Sequence, residues 1–542
     1  MHASEKSISG ILTEQNIYQI PSYQRPYSWE KENVEALLED LWNAFKRSDD
    51  EYFIGSLITA KDENREKYEV IDGQQRLTTL NLIFAALRDC LIDTAAKIQI
   101  ESRIYPKDAL SKNNEGKPRL LLRKSDQEFF LKHILRSEPI TSIKLDDPKE
   151  KLKENLDLIK KFLYFEKSQD DIKSFAKFIL ENVYVVLVIA DSRGSAHRLF
   201  NVLNSTGVPL SNADLIKNSL FNKLTESDDT DLLEEKWLEL EQEVGLENLD
   251  LFLEQFRSSK AHEKASKTLA VEFETLIKNA DTNSFEFLDS LISAAEIYSR
   301  IKNSSFTDPE SLRAIKSLNR VSFNEWIAPL MLFLSMSATK NYSDHDKDFI
   351  IFLEKITYQN WIRRLGRTAR LTVYHQLTRS LNDNDDFNIL HNIFIENANN
   401  EEFKQFMDGE IYGKPFALAI LIRLDEAEED YSVTREYKGR LSIEHVLPKS
   451  LKDEYWIKRF SEVQHEFVLN RIGNLAMLSG VKNSKAQNYD FLKKKEIYSE
   501  IQSNVSFTLT KEIIAISDWD MAALEKRQSR LTSIAEKLWK II

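Results

Sequence analysis

Several short stretches of this sequence gather residue types that can handle phosphate chemistry. In Ile20–Trp29 (IPSYQRPYSW), Pro21 and Pro26 bracket Tyr23, Gln24 and Arg25. Proline fixes φ, so the bracketed side chains sit on a stiffened, non-helical loop. In Val70–Leu80 (VIDGQQRLTTL) a strand pattern runs through Asp72 and Gly73 straight into a helical one, which places Gln74, Gln75 and Arg76 at a helix N-terminus. Free amides and the positive end of the helix dipole favour anions there. Arg76 adds a planar fork suited to phosphate oxygens, and Arg25 can supply a second. A nucleotide or a DNA backbone would fit this cradle. The plainer reading, that Asp72 caps the helix and Arg76 pairs with a surface carboxylate, stays open, because a lone strand-Gly-helix turn is weak evidence.

A second grouping lies near the other end of the chain. Ser442–Lys449 (SIEHVLPK) sets Glu444 beside His445 at the end of a short apolar run, before Pro448. Asn470–Leu478 (NRIGNLAML) and Asn483–Asn488 (NSKAQN) follow. Metal-assisted hydrolysis of a phosphodiester needs a base to deprotonate water and a divalent ion to stabilise charge at the phosphate. Histidine can be that base near neutral pH, and Glu and Asn oxygens suit a hard cation such as Mg²⁺. A lone histidine before proline would be read as structural; the accompanying asparagines reverse that. Arg363, Arg367 and Arg370 recur at i, i+4 and i+7 near Trp361 and Tyr374. On a single helix face they are candidate DNA contacts, with an inter-helix salt-bridge face the equal alternative.

The elements that must position these groups follow from composition and pattern. At 542 residues, three or four domains are expected. With 42% hydrophobic and 30% charged residues, several cores can be buried and disorder is excluded. Only 13 Gly and 11 Pro imply few turns and long helices. Cys90 is the single cysteine, which excludes an internal disulfide and a cysteine-based zinc cage and points to a reducing cytoplasm. Neither the longest apolar runs nor the N-terminal residues Met1–Lys6 suggest a membrane address. The net charge of −13 argues against a globally basic nucleic-acid coat. Residues 441–500, however, carry 10 Lys and Arg against 8 Asp and Glu, so that section repels DNA least.

Strand patterns gather early, at Tyr52–Thr59, Tyr68–Ile71 and Tyr184–Ile189. Leu77–Leu91 predicts a helix with one buried stripe, and Ser211 with Asp214 a capping box opening the helix that carries Lys217. The pattern is almost wholly helical from Leu220 to Ala427, opening on an acidic stretch, Glu226–Asp231, read as a solvated face or linker. Mixed patterning returns with a strand at Leu441–Leu447 and a helix at Tyr489–Ser499. The expectation is a predominantly helical α+β chain in three parts: residues 1–225, 226–427 and 428–542.

The Pro-x-Tyr-Gln-Arg loop at 21–25, the Asp-Gly-Gln-Gln-Arg turn at 72–76 and the Phe-x-x-Leu-Asn-x-x-Gly-x-Pro-Leu-x-x-x-Asp-Leu-Ile-Lys segment at 200–217 resemble, in order, the N-terminal domain of GmrSD-type restriction proteins. That domain is similar to the ParB/sulfiredoxin fold. The resemblance implies a site that binds and often hydrolyses a nucleoside triphosphate and senses modified DNA, lined by Tyr23, Gln24, Arg25, Asp72, Gly73, Gln74, Gln75 and Arg76. The 444–494 constellation is similar to the HNH, or ββα-metal, nuclease domain that ends such proteins. That match implies His445 as general base, Glu444 and Asn483 as metal ligands, and Asn474 as the residue that holds the active-site loop and orients His445. Asn in the last ligand position favours Mg²⁺ or Mn²⁺ over Zn²⁺.

The reading is thus a Mg²⁺-dependent endonuclease, nicking or cutting both strands, of a phage-defence, type IV restriction kind. Its partners would be modified phage or foreign DNA and a nucleoside triphosphate, with GTP, ATP and CTP not distinguished. No membrane partner is expected, and a homodimer is left open. The alternatives are an NTPase switch without nuclease chemistry and a DNA-binding scaffold that recruits a nuclease.

Overall fold

A computed structural model describes residues 2–13, 16–21, 24–61, 67–106, 116–140, 145–165, 167–190, 211–224, 230–261, 263–280, 282–337, 343–383, 386–430, 433, 441–479, 488–499 and 507–542. The chain is α+β and predominantly helical. It divides into two compact units, Met1–Asn218 and Ser219–Ile542. No helix among the described residues is long and apolar enough to cross a membrane.

The first unit is built on a mixed six-stranded sheet. Its strands are β1 (His2–Ser7), β2 (Tyr18–Gln19), β3 (Tyr52–Lys61), β4 (Tyr68–Asp72), β5 (Leu120–Leu121) and β6 (Val183–Ala190), in the spatial order β1-β6-β3-β4-β2-β5. The β-branched run of β6 (VYVVLVIA) suits an inner strand. It pairs in parallel with β3 and antiparallel with β1. Between Phe53 and Ser56 the β3–β6 register shifts around Gly55, whose φ is +104°. Strand β4 turns at Gly73, φ +90°, into the Gln74–Cys90 helix.

That helix is not the one-stripe amphipath the spacing predicts. Leu77, Leu80, Leu82, Ile83, Phe84, Ala85, Ala86 and Leu87 are all buried, because the Thr94–Ile104, Asp147–Tyr164 and Gln169–Asn182 helices pack against it as well. A helix apolar all round is a central one. Ser211 and Asp214 form the expected capping box: the Asp214 amide donates to Ser211 Oγ at 3.1 Å and the Ser211 amide to Asp214 Oδ2 at 3.0 Å. The 200–210 part of that motif and most of the acidic stretch from Glu226 lie outside the described residues.

In the second unit the described residues from Ser219 to Ala427 form helices and turns, as expected, apart from one isolated bridge between Glu410 and Arg471. Among the described residues of this unit the strands are β7 (Leu441–His445) and β8 (Leu475–Ser479), an antiparallel ribbon with His445 opposite Leu475 and Glu444 opposite Ala476. The Phe491–Ser499 helix follows, in ββα order. Strand β7 stops two residues short of the expected Leu447, because the Val446 and Leu447 amides donate to Asn474 rather than to β8. The last helix, Met521–Trp539, joins one core with the middle helices: Trp539 stacks on Tyr358 with ring centroids 4.6 Å apart, and Leu531 and Met477 belong to the same cluster. Residues on both sides of the 427/428 division drawn from the sequence thus share a core.

Candidate active site

The N-terminal motifs converge on the β4–Gly73 turn. Gln75 bridges the two loops, its Oε1 accepting from the Ser28 amide and its Nε2 donating to the Pro26 carbonyl, both at 2.9 Å. Gln24 Nε2 donates to the Ile71 carbonyl at 3.1 Å. These two buried glutamines use their amides to strap residues 24–28 onto the turn, which is structural work. Gln74 is buried beside them and Arg25 is half-buried; Tyr23 lies outside the described residues.

Asp72 does not cap the helix. The N-cap is Gly73, with no side-chain cap bond, and Asp72 faces Arg76 at 3.9 Å. Arg76 Nη1 donates to the Ile54 carbonyl at 2.7 Å, and burial pulls its guanidinium down against the opposing pull of Asp72. A Cβ on Gly55 would lie 2.1 Å from Arg76 Nη1, so the glycine makes room for this arginine. Gly55→Ala is expected to cost about 1–3 kcal/mol, through positive-φ strain and displacement of Arg76, read as a lower melting temperature of the N-terminal unit.

In the second unit His445 closes β7 and is 5% exposed. Its Nε2 lies 3.3 Å from Asn470 Oδ1. An amide oxygen only accepts, so this contact puts the ring hydrogen on Nε2 and leaves the Nδ1 lone pair available. The ring packs against Tyr412, with centroids 4.1 Å apart. Burial, with smaller contributions from Lys449, Lys494 and His465, pushes the imidazole down to about 4, against the hydrogen bond it donates to Asn470. The imidazole is therefore neutral at pH 7.

Asn474, fully buried, clamps the loop after His445. Its Oδ1 accepts from the Leu447 amide at 2.7 Å, and its Nδ2 donates to the Leu447 and Leu469 carbonyls at 3.0 and 2.9 Å. The last helix braces this turn in its own right. Arg527 Nη1 donates to the Gly473 and Leu475 carbonyls at 2.7 and 2.9 Å, and Gln528 Oε1 accepts from the Gly473 amide at 2.7 Å.

Glu444, one residue before His445, has its carboxylate on Lys494: Nζ donates to Oε1 and to the His445 carbonyl, each at 2.6 Å. Burial pushes Glu444 up and Lys494 down, and each charge opposes the shift of the other. The proposed second ligand, Asn483, lies outside the described residues. Among the described residues no three His, Cys, Asp or Glu side chains gather around a point. With its one described oxygen donor paired to a buried ammonium, this donor set does not fit a divalent cation as it stands.

The three arginines proposed for DNA do not share a helix. The first helix ends at Ile362, and Arg364 adopts a left-handed conformation (φ +61°). The Leu365 amide returns to the Asn360 carbonyl at 2.9 Å, and a new helix starts at Arg367. Arg363 pairs with Glu402 at 2.6 Å, Arg367 with Glu254 at 3.1 Å and Arg370 with Glu325 at 2.9 Å. These contacts realise the inter-helix salt-bridge alternative.

Both constellations fall inside family matches. The GmrSD restriction endonuclease N-terminal domain matches residues 8–221, and the GmrSD restriction endonucleases C-terminal domain matches residues 344–534. The chain belongs to the GmrSD restriction endonucleases. A comparison with curated proteins finds no match. As a GmrSD protein the chain is a type IV restriction-like endonuclease with DNA as its substrate. The GmrSD C-terminal match also spans Tyr412, Asn470 and Lys494, to which the sequence motifs assign no role. Asn470 stands in the quoted NRIGNL run, but only the fold shows that this asparagine, rather than Asn474, meets the imidazole.

Proposed function

We propose that this GmrSD protein hydrolyses phosphodiesters of modified foreign DNA at an HNH site centred on His445, as part of phage defence, and that the N-terminal unit gates the cut by binding and hydrolysing a nucleoside triphosphate. The observation that carries the proposal is the placement of the buried His445 ring at the end of β7, with Nε2 directed to Asn470 Oδ1 and Nδ1 left as acceptor. A water at Nδ1 would give up a proton as its oxygen attacks phosphorus, and the leaving ester oxygen departs opposite. Asn474, Arg527 and Gln528 keep the loop and turn around the base rigid. Mg²⁺ or Mn²⁺ enters this reading from the HNH resemblance alone. The nucleotide site rests on the meeting of the 24–28 loop with the Gly73–Arg76 turn.

The Glu444–Lys494 pair favours a second reading, in which the HNH segment holds DNA without cutting it. Cleavage of modified and unmodified phage DNA, with ATP, GTP or CTP and with or without EDTA, separates the two. The proposal expects modified DNA to be cut, EDTA to stop the cut, and Arg76→Ala to abolish nucleotide dependence. Nucleotide hydrolysis without any DNA cleavage, whatever metal is added, supports the second reading.

A further inference from the structure

We infer that Lys449 is the DNA-phosphate contact of the His445 centre and that Tyr412, from the chain segment ahead of the nuclease motif, holds it in place; this rests on the endonuclease reading above. Lys449 Nζ donates to Tyr412 Oη at 3.2 Å and lies 4.5 Å from the centre of its ring. The same ring packs against His445. One phenol therefore carries both the proposed base and an ammonium.

Both supports are rigid. The Ile411 and Tyr412 amides donate to the Asn470 carbonyl at 2.8 and 3.0 Å, so the residue that meets His445 also fixes Tyr412. On the other side, Lys449 follows a loop whose Val446 and Leu447 amides end on Asn474. His465 Nε2 lies 2.8 Å from the Pro448 carbonyl.

Three basic groups act on His445: Lys449, Lys494 and His465. Lys494 is fully buried against Glu444 and cannot reach a ligand. His465 is half-buried, with one ring nitrogen on Pro448. Lys449 is exposed, and among the described residues no carboxylate lies within ion-pair distance of it. In an acidic protein, an ammonium held beside the His445 ring with no carboxylate partner among the described residues suits a phosphate oxygen, where it would offset the charge that develops during hydrolysis.

The test measures duplex-DNA affinity against salt in a His445→Asn background, which keeps the DNA intact, and single-turnover cleavage in the His445 enzyme. Lys449→Met should reduce the slope of log affinity against log salt by about 0.9, the value for one phosphate contact, and slow cleavage by roughly tenfold or more. Lys449→Arg should restore the slope. Tyr412→Phe, which keeps the ring and removes the hydroxyl, should weaken affinity in part and leave the melting temperature unchanged. An unaltered slope and rate in Lys449→Met would overturn the inference, as would DNA binding that does not respond to salt. If the His445 enzyme cuts no DNA while the slope still drops, the endonuclease reading fails and the phosphate contact stands.

Discussion

Replacing Lys494 by methionine is expected to destabilise the C-terminal unit by roughly 3–5 kcal/mol, the usual consequence of removing one member of a buried ion pair. Lys494 is wholly buried and gives hydrogen bonds to Glu444 and to the His445 carbonyl. Methionine fills the volume but leaves the Glu444 carboxylate in a site that already pushes it upward by desolvation. The loss should therefore depend on pH. A carboxyl whose folded pKa exceeds its unfolded one binds more protons in the folded state, so its contribution to stability falls as pH rises between the two values. Lys494→Met should recover part of its stability on acidification towards pH 5. The double variant Glu444→Gln, Lys494→Met should recover most of it at neutral pH, because no charge is left buried. Melting curves of the three variants across pH check this; equal melting of wild type and Lys494→Met would show that the pair contributes little.

His445→Ala is expected to slow DNA cleavage by about 100- to 10,000-fold, the range for loss of a general base, measured at a temperature where both proteins are folded. The wild-type pH profile carries the same information. An exposed histidine loses its base form below its ordinary value near 6.5, whereas His445 is held down at about 4. Activity in the free enzyme should then persist through pH 5–6 and fall only as pH drops through about 4. Stability has the matching sign: between those two values the unfolded chain binds a proton that the folded site refuses, so His445 makes stability rise with pH across that window.

Much of this was legible along the chain. The β-branched run of β6, the strand-Gly-helix turn at Asp72–Arg76 and the Ser211–Asp214 cap are local signals, and local signals survive folding. The strand β1 was not legible: HASEKS shows no apolar alternation, and its pairing is dictated by β6 alongside it. The arginine face failed because a period-3.6 count assumes an unbroken helix, and Arg364 in the left-handed region breaks it. Gln75 is a polar residue at a helix N-terminus, which points to a ligand, yet its amide is taken up on both sides by the 26–28 loop. Around His445 the motif residues were visible, whereas Tyr412, Asn470 and Lys494 were not assigned. They lie 33, 25 and 49 residues from it in sequence, and only the ribbon, the Phe491–Ser499 helix and the helical section folded together bring them there.

The central claim, that this GmrSD protein cuts DNA through His445, is tested most directly by single-turnover nicking of supercoiled modified DNA by purified wild type and His445→Ala, matched for melting temperature and DNA affinity. The account predicts nicked product with wild type and at least about a 100-fold slower reaction with the variant. Cleavage at the same rate by both proteins would contradict it.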